Sequence, residues 1–157
     1  MAPRAREQDT SAKGHGTPEA RAARRASRAG STYARFVHDV ATAGGYAKGE
    51  AERFAIATIA TLEERLPIAD VCRLEAHLPT RLDQILAFQP LLGLPQMDLD
   101  LFCTRLADRL GVPENQAEAI GRVVFSVLRQ HVSPREAQHV EEHLPEGLKE
   151  LWSGGHR

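Results

Sequence analysis

Ten residues of this chain recur at one fixed distance. Phe36, Ala41, Gly45, Ala51, Glu52, Glu75, His77, Leu78, Pro79 and Leu82 return as Phe102, Ala107, Gly111, Ala117, Glu118, Glu141, His143, Leu144, Pro145 and Leu148, each 66 positions later. A shared register of this length predicts two copies of one supersecondary unit, each supplying half of a common core. With 157 residues and 42% apolar side chains, the chain has enough material for one such core.

The pattern inside each copy is helical. Phe36, Val37, Val40 and Ala41 form an apolar face, echoed by Phe102, Cys103, Leu106 and Ala107. Ala51, Phe54, Ala55, Thr58, Ile59, Leu62 and Leu66 follow the i, i+3, i+4, i+7 spacing, and Ala117, Ile120, Gly121, Val124, Phe125, Leu128 and Val132 repeat it. Small residues at Ala55 and Gly121 predict a close helix crossing. Thr32 and Asp98 stand as N-caps, and Gly45 and Gly111 as stops. A third helix is expected from about Pro67 to Ala76 and from Pro134 to Glu142, with Ser133 capping the latter. After each His-Leu-Pro comes a short final helix. No stretch shows sustained strand-type alternation, so the fold class is all-α.

The sequence therefore predicts a single helical-bundle domain over 32–153, built from two tandem pseudo-symmetric four-helix repeats (32–88 and 98–153). The apolar linker 89–97 is expected to pack over their junction. A disordered basic arm, 1–31, precedes them. Within it Thr17-Pro18-Glu19 signals a helix start, and a short helix over 18–29 is expected to stop at Gly30. The net charge of −1 hides an asymmetry, because residues 1–31 hold seven basic and three acidic side chains. Cys72 and Cys103 read as core thiols and not as a redox pair. There is no apolar run long enough for a bilayer span and no secretory signal, which points to the cytoplasm.

The doubled layout of Phe36, a long amphipathic helix, His77-Leu78-Pro79-Thr80-Arg81-Leu82 and His143-Leu144-Pro145-Glu146-Gly147-Leu148-Lys149-Glu150-Leu151-Trp152 resembles the Domain of Unknown Function 2267 family over about residues 33–152. The resemblance implies a duplicated all-helical fold and a bacterial cytoplasmic setting. It carries no activity onto any residue.

Candidate sites are few. His139-Val140-Glu141-Glu142-His143 matches the H-x-x-E-H string of inverted zinc peptidases, with His139 and His143 able to hold zinc and Glu142 to activate water. The equivalent segment, Arg73-Leu74-Glu75-Ala76-His77, lacks the first His and the penultimate Glu, so metal-dependent hydrolysis is kept only as a remote alternative. His77 and His143 read as structural imidazoles bonded to backbone at helix ends, and Glu75 and Glu141 as capping or solvated acids. No phosphate loop, nucleophile elbow or CxxC occurs. The reading is thus of a non-catalytic interaction or regulatory module with no catalytic residue, metal or cofactor, whose partner is another protein or a second copy. The alternative is a nucleic-acid-associated protein that grips phosphates through Arg21, Arg24, Arg25 and Arg28, which share one helical face. Arg24-Arg25-Ala26-Ser27 also has the form of a basophilic kinase target, and phosphate at Ser27 would cancel part of that stripe.

Overall fold

The first helix begins where the sequence places its cap and runs past where the sequence places its stop. In a computed structural model, which describes residues 17–89 and 92–154 and gives only the backbone for 25–31, helix α1 spans Pro18–Gly44. Thr17 accepts a hydrogen bond from the Ala20 N–H at 3.0 Å. The predicted stop at Gly30 and cap at Thr32 are corrected: both lie inside α1. A lone helical glycine costs about 1 kcal/mol relative to alanine, and the Ala/Arg-rich stretch before it and the buried Phe36, Val37 and Val40 after it favour continuing the helix. The disorder expected over 1–16 falls outside the described residues.

The remaining helices keep their predicted places. They are α2 (Lys48–Arg65), α3 (Ile68–Ala76), α4 (Thr80–Leu86), α5 (Leu99–Leu110), α6 (Glu114–His131), α7 (Pro134–Glu142) and α8 (Glu146–Ser153). No strand occurs among the described residues. Asp98 caps α5 by accepting from Leu101, and Ser133 caps α7 by accepting from Glu136. Gly45 and Gly111 end α1 and α5 at φ of 70° and 68°, the left-handed region where a side chain would be strained.

Helices α1, α2, α5 and α6 make the body. α1 packs on α2 and α6, α5 packs on α6 and α2, and α2 meets α6. α4 closes over α1 and α2, α8 closes over α6 and α5, and the short helices α3 and α7 touch each other. Phe36, Ile59, Leu62, Phe102, Phe125 and Trp152 are fully buried, and each such side chain contributes about 1.5–3 kcal/mol by leaving water. The Trp152 indole N–H donates to the Ala137 carbonyl at 3.1 Å, so its one polar atom is satisfied. A Cβ at Gly121 would lie 3.3 Å from the Phe102 ring and 3.5 Å from Leu151. The small residue thus stands where neighbours press close, as its spacing predicts.

Two expectations of burial fail in part. Cys103 is buried, and burial, followed by the charges of Glu118, Glu114 and Asp100, pushes its thiol up to about 11. Cys72 is exposed, which corrects its reading as a core thiol. Its nine-residue helix buries Asp70, Val71 and Leu74 and turns position 72 outward. Within the linker Met97 is buried and Leu94 packs on the core, stitched to α2 by the Leu94 N–H to the Glu64 carbonyl. Phe88 and Leu92, however, project outward, 87% and 64% exposed.

Candidate functional site

The α3–α7 contact gathers the ionisable residues that the sequence scatters. Asp70 lies in the first turn of α3, where an acid suits the helix dipole, and its side chain is only 8% exposed. From α7, His139 brings Nε2 to 3.1 Å from Asp70 Oδ1, and His143 brings Nε2 to 3.1 Å from Oδ2. The i, i+4 spacing sets both imidazoles on one helical face, with ring centroids 5.3 Å apart. Arg73, one turn along α3, donates to Asp70 Oδ1 at 2.6 Å and reaches His139 Nε2. One ligand atom from each of Asp70, His139 and His143 lies within 4.8 Å of the others, a set able to hold a metal ion.

Backbone bonds fix how these rings face. Nδ1 of His143 stands 3.0 Å from the His139 carbonyl, and Nδ1 of His77 stands 3.0 Å from the Arg73 carbonyl. Both imidazoles thus make the helix-end backbone bond expected of them. A cleft of about 570 Å3 opens beside the cluster, lined by Arg73, His77, Glu136, His139 and Glu142 among others. Glu136 is 3% exposed, and its Oε2 finds no hydrogen-bond partner among the described residues. Glu142 is exposed and lines the cleft without joining the Asp70 cluster. The structure therefore joins His139 and His143 as the H-x-x-E-H string suggests, but supplies Asp70, not Glu142, as their companion.

The α2–α5 contact is organised differently. Glu64, 1% exposed, receives Arg105 Nε at 2.6 Å, Arg105 NH2 at 2.8 Å, Arg109 NH2 at 3.0 Å and the Leu92 N–H at 3.2 Å. Burial alone would raise its carboxyl. The Arg105 hydrogen bonds, the Leu92 N–H and the two guanidinium charges outweigh that and hold it below the usual carboxylate range. Its chain neighbour Glu63 is equally buried and has the opposite fate. Desolvation, then the adjacent acids Glu75 and Asp83, push its carboxyl up to about 10. Glu75 is near enough to act on it, yet neither Glu63 oxygen has a partner of good hydrogen-bond geometry. At neutral pH Glu63 is an uncharged acid in the core.

A groove of about 590 Å3 lies over the Glu64 contact, with Ile56, Ala57, Leu92 and Leu110 as apolar lining and Arg53, Arg105 and Arg109 around them. Arg53 NH1 donates to the Leu110 carbonyl at 3.3 Å. Of the predicted Arg stripe, Arg21 and Arg24 are exposed on α1, whereas the side chains of Arg25, Ser27 and Arg28 lie outside the described residues. No helix of the described residues is long and apolar enough to cross a membrane.

The fold and these contacts define an all-helical protein whose ionisable residues concentrate where elements distant in sequence meet. The family described as an uncharacterized conserved protein (DUF2267) matches residues 33–151, and the chain belongs to that family. No curated protein matches the chain.

Proposed function

We propose that this protein is a non-catalytic helical module that works by binding another protein, and that the groove between α2, α5 and the linker receives it. The observation that carries this reading is Leu92, 64% exposed, which lines that groove together with Ile56, Ala57 and Leu110. An apolar lining open to water and rimmed by polar side chains marks a contact surface. Arg53, Arg105 and Arg109 line the same groove with one carboxylate, Glu64. The fitting occupant is an acidic amphipathic segment: its apolar face covers Leu92 and the apolar lining, and its carboxylates face the arginines.

The test is a photo-crosslinking residue in place of Leu92 in the native host, with sedimentation of the purified chain alongside. A heterologous crosslink that weakens in Arg53→Glu supports the reading. A crosslink only to a second copy, or no crosslink with a monomer in solution, overturns it.

The same proposal takes the two helix sets as copies of one four-helix unit. Support comes from their bounds: α2 and α6 begin at 48 and 114 and end at 65 and 131, and α3 and α7 run 68–76 and 134–142. Small helices that cannot bury a face alone acquire a core by stacking on their copy.

A second reading rests on the continuity of α1. Unbroken helix from Pro18 aligns Arg21, Arg24, Arg25 and Arg28 along one face, suited to a phosphate backbone. Fluorescence anisotropy with duplex DNA across a salt series decides it. Salt-sensitive binding that disappears without residues 1–31 supports it, and equal binding without them sinks it.

A further inference from the structure

We propose that Asp70, His139 and His143 form a binding site for a divalent transition-metal ion, zinc by preference, that clasps α3 to α7. This goes beyond the docking reading and does not depend on it.

Geometry gathers the ligand atoms. The His143 Nδ1–H donates to the His139 carbonyl, which leaves Nε2 as the ring nitrogen available to a ligand. That Nε2 lies 3.1 Å from Asp70 Oδ2. His139 Nε2 lies 3.1 Å from Asp70 Oδ1 and within reach of Arg73. One ligand atom from each of the three residues lies within 4.8 Å of the others, a spacing that a single cation bridges. Arg73 bonds Oδ1 and His139, so the guanidinium already occupies the place of a cation on that side.

The type of ion follows from the donors. Two imidazole nitrogens and one carboxylate oxygen suit a borderline cation such as Zn2+ and do not suit calcium or magnesium, which prefer all-oxygen shells. An imidazole locked by a bond from its other nitrogen to a carbonyl is the usual arrangement around a bound metal, because it fixes the tautomer and aims Nε2.

A second observation points the same way. Glu136, buried with an orphaned Oε2, lines the cleft beside His139. An unpaired buried acceptor there adds to the demand for positive charge. His139 and Arg73 both line the cleft, so the cluster borders solvent on that side. Arg73 is 45% exposed on a long, flexible stem, so it swings into the cleft when the ion enters. In the metal-free chain it is the stand-in cation.

The clasp has a structural meaning. α3 and α7 come from opposite halves of the chain and touch only lightly. An ion bound by Asp70 of one and two His of the other ties the halves together and couples their separation to metal supply.

The test is isothermal titration of the chelator-treated full chain with Zn2+, paired with the visible absorption of the Co2+ form. One ion per chain is expected, with the intense d–d bands of a four-coordinate site. His139→Ala and His143→Ala alter partly exposed residues and leave the core intact. Each is expected to weaken binding by about 100-fold or more, at least what loss of a supporting group alone costs, with helicity by circular dichroism unchanged. Arg73→Ala, which removes the competing cation, is expected to tighten binding. His77→Ala is expected to leave it unchanged. No uptake of Zn2+ or Co2+ by the folded chain overturns the proposal. So does uptake that survives both His139→Ala and His143→Ala, or that is lost equally in His77→Ala.

Discussion

At the α2–α5 contact, Glu64 meets four donors, from Arg105, Arg109 and the Leu92 backbone. At the α3–α7 contact, Asp70 is similarly hidden but meets one guanidinium and two imidazole nitrogens, the latter each 3.1 Å away. Both contacts join halves of the chain through a buried acid. One is closed to a further cation: every Glu64 carboxylate oxygen has its hydrogen bonds. The other sets three metal-capable ligand atoms within 4.8 Å of one another, and Glu136, whose Oε2 has no hydrogen-bond partner among the described residues, lies on the cleft beside it. Burial and charge alone do not distinguish a structural ion pair from a binding site. The balance of donors against acceptors does.

The comparison breaks most visibly at its closed side. Glu64→Gln leaves two guanidiniums facing a neutral amide in a largely dry pocket, and is expected to cost about 3 kcal/mol in urea unfolding at neutral pH. A loss well under 1 kcal/mol would show that Arg105 and Arg109 do not depend on the Glu64 charge.

Glu63 sharpens the contrast within one turn of α2. Its pKa in the folded chain, about 10, lies far above the ordinary 4.5 of an exposed glutamate. Between those values the folded chain holds a proton that the unfolded chain has released. Its contribution is therefore fully present below the lower value and drains away as pH rises through the window. Glu63→Gln is expected to flatten the fall in Tm between pH 5 and 9 and to raise stability at pH 8 by about 1–3 kcal/mol. An unchanged pH profile would mean that the Glu63 carboxyl is paired in solution.

The smallest effect belongs to the α1–α6 contact. His131 Nε2 sits 2.8 Å from Asp39 Oδ2 where α6 meets α1, with Asp39 38% exposed. Asp39→Asn is expected to cost under about 1 kcal/mol, as half-exposed ion pairs do. A cost equal to that of Glu64→Gln would erase the distinction between wet and dry contacts.

Local chemistry was legible in the sequence, and long-range chemistry was not. The caps at Thr17, Asp98 and Ser133, the glycine stops and the long apolar faces depend on residues within a turn or two of each other, and the structure keeps them. Gly30 misled because a small residue flanked by strong helix formers is tolerated when packing further along anchors the helix. Cys72 misled because a short helix buries only one narrow side. At the site, spacing revealed His139 and His143, but their companion lies 69 positions from His139 in the chain. The repeat also drew attention to His77 as the mate of His143, whereas space gives His143 to Asp70. One signal was present: Asp70 and Glu136 occupy equivalent places in α3 and α7, both acidic and both buried. Acids conspicuous on the same inner position of two short helices mark where a cation is wanted.

The central claim, that the α3–α7 contact is open to a cation while the α2–α5 contact is closed, is tested most directly by amide hydrogen exchange of the full chain with and without Zn2+. Slower exchange across 68–77 and 134–143 is expected when Zn2+ is present, with the α2–α5 contact unchanged. Equal exchange everywhere, or protection spread evenly over the bundle, would contradict it.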